Sequence, residues 1–118
     1  MTTTLTEERT QELLAAQADL LAKFFRALGD PTRVRILKFL MDEGPRSVGE
    51  IVEDTGASQS RVSTHLVCLK WCGLVTSVRE GKRVIYSVGD PRVADLLRGG
   101  EQVLADNADQ VIACKTIR

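Results

Sequence analysis

The sequence contains one histidine, His65, and no glycine-rich loop of the kind that cradles phosphates. A serine or cysteine nucleophile needs a histidine base that an acid orients, and the sequence shows no such set. We therefore predict no catalytic site and expect a protein that is not an enzyme.

Long apolar runs are also missing. No stretch approaches the roughly 18 residues that a membrane-spanning helix needs, and the N-terminus shows no basic segment followed by an apolar one. We expect a cytoplasmic protein with no membrane partner. The length of 118 residues fits one compact domain, residues 1–118, which is small enough for dimerisation to bury useful apolar surface.

The net charge gives no indication of the partner, because sixteen Lys and Arg balance sixteen Asp and Glu. The charges are nevertheless uneven along the chain. Residues 58–88 contain five cations and one acid, a net charge of +4, which the remainder of the chain offsets. A basic segment of this kind favours a surface that binds nucleic acid.

The chain has three cysteines, Cys68, Cys72 and Cys114. An odd number of thiols in a chain expected to lie in a reducing compartment argues against a disulfide framework. Free thiols and metal ligands remain as the two interpretations.

Apolar residues at three- and four-residue spacing predict helices over most of the first 72 residues. Asp30-Pro31 begins one of them, and Ser47 with Glu50 forms a capping-box pattern before a short one. Ser58 caps the helix over SQSRVSTHLVCLKWCG, which we call the recognition helix. Its predicted buried stripe is Val62, Leu66 and Leu69.

After Gly73 the apolar period changes from helical to two. The segment LVTSVREGKRVIYSV predicts two strands joined around residues 80–82, a β-hairpin. A last helix begins at Asp90-Pro91, and Gly99-Gly100 predicts a weak point within it. The expected fold is mostly α with a β-hairpin, in the order α-α-α-α-α-β-β-α.

Two short helices that meet at a tight turn, residues 55–57, and a basic hairpin that follows them are typical of a winged helix-turn-helix. The alternative is a small α+β domain whose hairpin is merely solvated. The basic character of the hairpin favours the DNA-binding interpretation.

The exposed side of the recognition helix carries hydrogen-bonding side chains, one cation and no acid at its N-terminal end. Such groups suit base edges and phosphates, although a polar face is most often simply solvated. The predicted DNA-binding residues of the helix are Ser58, Gln59, Ser60, Arg61, Ser63, Thr64 and His65. The hairpin adds Arg79, Lys82 and Arg83, which would neutralise backbone phosphates.

Cys68 and Cys72 lie about 80 to 120° away from the buried stripe on a helical wheel. Their Cβ atoms, four residues apart, are separated by about 5 to 6 Å, whereas a relaxed disulfide needs about 3.5 to 4.5 Å. A thiophilic metal can bridge that gap, with Cys114 as the remaining thiol. A redox sensor and two ordinary packed cysteines are the alternatives.

Three segments together resemble the ArsR/SmtB family of bacterial metal-responsive repressors: ALGDPTRVRILKFL, VGEIVEDTGASQSRVSTHLVCLKWCGLV and REGKRVIYSV. Within that family, the form CLxxCGLV with a late cysteine is similar to the cadmium- and lead-sensing, CmtR-like branch. The cysteine pair and the histidine-containing site that other branches use have no counterpart here.

The resemblance implies a homodimer, built from the first and last helices, that binds palindromic operator DNA. It also implies a metal site formed by Cys68, Cys72 and Cys114. In the CmtR-like branch the late cysteine comes from the other subunit, and the sequence leaves open whether Cys114 binds within its own chain or across the dimer. Cd2+ or Pb2+ is the expected effector, and Hg2+ and As(III) also suit three thiolates. We expect the metal-free dimer to repress a resistance or efflux operon and the metal to release it. A redox-responsive repressor and a module that does not bind DNA are the alternatives.

Overall fold

The computed structural model describes residues 6–117 and shows a helix-turn-helix followed by a β-hairpin wing, as predicted. The elements are α1 (Thr6–Leu28), α2 (Pro31–Glu43), β1 (Arg46–Ser47), α3 (Val48–Thr55), α4 (Gln59–Trp71), β2 (Val75–Glu80), β3 (Arg83–Val88) and α5 (Arg92–Ala113). The recognition helix is α4. The ends of the predicted 1–118 domain, residues 1–5 and 118, lie outside the described residues.

The order of elements differs from the prediction in two places. Four helices precede the hairpin instead of five, and the first of them, α1, is one uninterrupted helix of 23 residues. The two-residue strand β1 was not predicted, since so short a segment leaves no periodic signal. It pairs with β3, Arg46 opposite Tyr86 and Ser47 opposite Ile85, and gives a three-stranded sheet in the order β1-β3-β2.

Side-chain caps fix where the helices of the DNA-binding unit begin. Asp30 accepts from the backbone N–H groups of Thr32 at 2.8 Å and Arg33 at 3.1 Å. Ser47 and Glu50 form the predicted capping box at the start of α3. Gly56 ends α3 in the left-handed conformation, φ 72°, which glycine adopts without the steric cost that other residues incur. The chain therefore turns sharply into α4.

The core lies where α2, α3 and α4 meet the sheet. The predicted stripe of α4, Val62, Leu66 and Leu69, is fully buried there, so the azimuth of the recognition helix is set by apolar packing. The other core residues are Ile36, Leu37, Leu40, Ile51, Leu74, Val75 and Val93.

The hairpin has the predicted position. β2 and β3 pair antiparallel from Val75 opposite Val88 to Glu80 opposite Arg83, which leaves a two-residue turn of Gly81 and Lys82 at the tip. Gly81 has φ 63°, as such a turn requires.

The weak point of α5 is not where glycine predicted it. Gly99 and Gly100 continue the helix, and the non-helical backbone lies at Asn107, φ −126° and ψ 18°. The Asn107 side-chain amide donates to the Val103 carbonyl at 2.9 Å. An asparagine that bonds its own helix backbone competes with the helix, whereas a helical glycine costs conformational entropy without removing a hydrogen bond.

Two long helices carry apolar side chains that the protomer leaves exposed. Those of α1 are Leu13, Leu14, Leu20, Leu21 and Phe25, and those of α5 include Leu96, Val103 and Leu104. Val93 of α5, in contrast, is part of the core. Within residues 6–117, no helix is both long enough and apolar enough to cross a lipid bilayer.

Candidate nucleic-acid interface and thiol site

The N-terminal end of α4 is open to solvent. The Ser58 hydroxyl accepts from the Arg61 backbone N–H at 3.2 Å and so caps the helix. Gln59, Ser60 and Arg61 are exposed beside it. No acidic residue occupies this first turn. Free backbone donors, one cation and short polar side chains make this end suitable for a phosphate backbone and for base edges.

The side chains in the next turn of α4 are less available for contacts with DNA. The Thr64 hydroxyl donates to the Ser60 carbonyl at 2.9 Å, and Ser63 is half-buried. Thr64 still presents its methyl group and one oxygen lone pair to solvent. The most exposed part of the predicted polar face therefore runs from Ser58 to Arg61.

The three wing cations are not equivalent. Arg83 donates to Glu50 of α3 at 3.1 Å, and Arg79 donates to the Gly81 carbonyl at 3.3 Å. Lys82, at the tip, is exposed and makes no side-chain hydrogen bond or ion pair within the described part of the chain. Lys82 is thus the wing cation that is available to a phosphate without giving up another contact.

His65 faces the protein. Its side chain is only 12% exposed, its Nδ1 accepts from Arg33 Nε at 3.0 Å, and its Nε2 lies 3.7 Å from Asp30 Oδ1. A ring nitrogen that accepts a hydrogen bond carries no proton, so this arrangement places the imidazole proton on Nε2. His65 was predicted among the DNA-binding residues, and in the structure its ring is packed against Arg33 and Asp30.

Arg33 joins three helices at this point. Besides His65 of α4, its guanidinium reaches the Ala27 carbonyl at the end of α1, at 3.3 Å. Its own backbone N–H is held by the N-cap Asp30. We call Asp30, Arg33 and His65 the anchor, because their side chains link the start of α2 to the middle of α4.

Cys68 and Cys72 occupy the C-terminal end of α4, both as free thiols. Cys68 is half-buried and Cys72 is exposed at the C-cap, where its backbone N–H bonds the Cys68 carbonyl at 3.1 Å. The helical spacing puts them on the edge that His65 and Arg61 also share. As expected, neither belongs to the apolar core.

The charge state of Cys72 depends on its neighbours. Burial raises the pKa of the Cys72 thiol, and Cys68 raises it further through charge and through a hydrogen bond between the two thiols. The positive charges of Arg33 and Lys23 act in the opposite direction. In the absence of metal the Cys72 thiol therefore favours its protonated form.

Cys114 lies just beyond the end of α5. Its sulfur is 3.2 Å from the Thr116 hydroxyl, and hydrogen bonds from Thr116 and from the Ile117 backbone lower the pKa of this thiol. Residues 6–117 contain no cluster of three histidine, cysteine or acidic side chains able to hold a metal. Cys114 therefore does not meet Cys68 and Cys72 within one protomer.

Sequence reasoning did not find Arg33 or Lys23. Arg33 is 32 positions away from His65 along the chain, and no spacing rule connects residues on different helices. Asp30 was noted only as a helix cap, and its second contact, with His65, depends on how α2 and α4 pack.

Comparison with known proteins gives a family and named relatives. Residues 30–77 match the model of the family described as bacterial regulatory protein, arsR family. A probable mercury resistance operon repressor of Streptomyces lividans is 49% identical over 92% of this chain and 86% of that protein. The transcriptional regulator CmtR of Mycobacterium tuberculosis is 45% identical over 76% of each chain.

Two solved structures have a similar fold. One is the homodimeric winged helix-turn-helix DNA-binding domain of a possible ArsR-family regulator from Mycobacterium bovis, with a TM-score of 0.67 and 37% identity over 80% of this chain and 85% of that one. The other is the cadmium sensor CmtR of M. tuberculosis, solved by NMR, with a TM-score of 0.56 and 42% identity over 66% of this chain and 80% of that one.

Proposed function

The chain belongs to the arsR family of bacterial regulatory proteins, and from that premise we propose that it is a homodimeric repressor that a thiophilic metal releases from operator DNA. It is a winged helix-turn-helix regulator and not an enzyme. We place it in the cytoplasm, where a bacterial operator lies.

The DNA contact we propose uses the open end of α4 and the tip of the wing. Ser58, Gln59, Ser60 and Arg61 would enter the major groove, with Ser63 and Thr64 at its margin. Lys82 would bind a flanking phosphate, and Arg79 and Arg83 would add to the positive potential. His65 would act from inside the protein and not by touching DNA, because its ring is committed to Arg33.

The metal site we propose has Cys68 and Cys72 of one subunit and Cys114 of the other. Two helix thiols give too few ligands for tight binding of a soft metal, and Cys114 is not within reach in its own protomer. An exchange of tails across the dimer supplies the third thiolate. The residues present thus fit a soft cation, which would hold the α5 tail of one subunit against the α4 helix of its partner.

The identity of the metal is the finer part of the proposal. Two relatives carry names that refer to mercury resistance and to cadmium sensing. Both ions form stable trigonal thiolate complexes, as do Pb2+ and As(III), so the ligand set alone admits all four. We propose Cd2+, Pb2+ or Hg2+ as the effector of a metal resistance or efflux operon, with As(III) as a further candidate.

One observation carries the proposal. The open N-terminal end and Cys68 belong to one 13-residue helix, α4, and Cys72 is its C-cap residue. A helix transmits a displacement at one end to the other, because its backbone is a single hydrogen-bonded unit. Two recognition helices must match the spacing of the grooves together, so a small tilt lowers the affinity at both half-sites.

The test is a gel-shift on the promoter adjacent to the gene, titrated with Cd2+, Pb2+, Hg2+ and arsenite in a weak thiol buffer. Cys68→Ser, Cys72→Ser and Cys114→Ser should each bind the metal-free operator like wild type and resist release. Trp71, the one tryptophan, is 87% exposed beside Cys72, so its fluorescence reports metal binding independently of DNA.

A redox-responsive repressor remains the second candidate, since the two α4 thiols are free and Cys72 is exposed. Peroxide should then release the operator under conditions in which none of the four metals does. That outcome would reject metal sensing while keeping the DNA-binding assignment.

A further inference from the structure

The anchor lies between the two ends of α4 that the proposed function connects. Arg61 precedes His65 by one helical turn and Cys68 follows it by one, all three on the same edge of the helix. Among the described residues, the Arg33–His65 bond is the one hydrogen bond between side chains of α2 and α4. The position of this edge relative to α2 therefore depends on the anchor as well as on the apolar stripe.

Arg33 also lies near the thiol pair. It bonds His65, and His65 precedes Cys68 by three residues on the same edge of α4. A guanidinium has five N–H donors, and the side chain of Arg33 uses two of its nitrogens for His65 and Ala27. The guanidinium that bonds His65 can therefore be attracted by a negative charge that develops at the sulfurs.

We propose that Arg33 couples metal occupancy of the thiol pair to the position of the recognition helix. This inference rests on the proposed function. As the metal binds, three thiols release their protons to solvent, and three thiolates with one divalent cation carry one net negative charge. The guanidinium moves toward that charge and gives up His65 Nδ1. The middle of α4 then loses its tether to α2, and the DNA-binding end shifts.

The single histidine makes this exchange directly measurable. The untagged dimer is labelled with 15N-histidine, and the imidazole nitrogens are recorded with and without saturating Cd2+. In the metal-free protein we expect an unprotonated, hydrogen-bonded Nδ1 and a protonated Nε2. With Cd2+ we expect Nδ1 to take the shift of an acceptor without a donor, while Nε2 keeps its proton.

The control condition separates this inference from the proposed function. If Cd2+ lowers operator affinity and leaves both nitrogen signals unchanged, the Arg33 mechanism is wrong and metal sensing stands. If Cd2+ binds, as thiolate-to-metal absorbance reports, without lowering operator affinity, the proposed function is wrong and the inference goes with it.

Substitution gives a second, independent measurement, the ratio of operator Kd with Cd2+ to that without. We expect a wild-type ratio within the range usual for allosteric effectors, about 5- to 150-fold, and a fall of at least about threefold in Arg33→Gln. Arg35→Gln makes the same change at an exposed residue two positions along α2 and should keep the wild-type ratio. An Arg33→Gln protein that binds Cd2+ and keeps the full ratio contradicts the proposal.

His65 provides the rescue test, which also serves if Arg33→Gln does not fold. His65→Gln retains an oxygen that can accept from Arg33, and His65→Leu retains only the volume. We expect His65→Gln to keep most of the wild-type ratio and His65→Leu to lose it. Equal ratios in the two variants would mean that His65 serves packing alone.

Discussion

At the scale of single residues, the pKa of the Cys72 thiol is set by opposing effects of its neighbours. Burial and Cys68 raise the pKa of Cys72, whereas Arg33 and Lys23 favour its thiolate. A metal ligand must be deprotonated, so binding displaces protons, and the neighbouring cations offset part of that cost. The Cys72 thiol therefore favours its neutral form without metal and ionises when it binds one.

The raised pKa of Cys72 predicts a pH dependence for metal binding. Below the pKa the thiols are protonated, so each bound metal releases about one proton per thiolate formed. The affinity for Cd2+ should therefore fall as pH is lowered, with a slope of log K against pH of about two in Cys114→Ser. Trp71 fluorescence titrations between pH 6 and about 8 measure that slope. A flat profile would show that the thiols are already ionised.

Leu66 illustrates how the core fixes the recognition helix. It is fully buried between the anchor and the thiol pair, so Leu66→Ala removes contacts that the core cannot replace. We expect a loss of about 2 to 5 kcal/mol in the free energy of unfolding, measured by chemical denaturation. Val67→Ala, at the next and exposed position, is the control and should change stability by less than about 0.5 kcal/mol.

At the scale of elements, an ion pair connects the wing to α3. Glu50 completes the capping box of α3 and also accepts from Arg83 of β3. This ion pair joins the strand end beside the wing tip to the helix-turn-helix, while Lys82 in the turn remains available. The wing thus combines a structural cation with a DNA-binding one.

This difference predicts unequal effects of two similar substitutions. Lys82→Gln should weaken operator binding uniformly across sequences and reduce the slope of log K against log salt by about 0.9, the value for one lost phosphate contact. Arg83→Gln should change that slope less, because Glu50 already neutralises Arg83. Filter binding at several salt concentrations measures both slopes. A larger effect from Arg83→Gln would assign the phosphate contact to Arg83 instead of Lys82.

At the scale of the whole molecule, a single protomer leaves a large apolar surface uncovered. Its core is formed by α2, α3, α4 and the sheet with Val93, while α1 and much of α5 expose apolar side chains. Contiguous apolar surface of this kind marks an interface. The proposed metal site leads to the same conclusion, because the third thiol has to come from a second copy.

Leu21→Glu tests the dimer. A carboxylate on the exposed apolar stripe of α1 would be buried unpaired in a dimer, so we expect monomers by light scattering and at least a tenfold loss of operator affinity, about 1.4 kcal/mol. Ala15→Glu adds the same charge about 120° away from Leu21 on the same helix, outside the arc that holds the exposed apolar side chains, and should leave the dimer intact. A dimeric Leu21→Glu protein would move the interface away from α1.

The sequence determined by itself what repeats locally or lies close along the chain. The buried stripe of α4, the capping box at Ser47, the hairpin tip and the solvent-facing polar residues follow from helical period, cap chemistry and turn chemistry. Cys68 and Cys72 were placed together because four residues make one helical turn. Contacts across helices had no such signal. Only the tertiary structure showed His65 turned inward onto Arg33, Arg83 paired with Glu50, and Cys114 apart from the other thiols, because each depends on how separate elements pack.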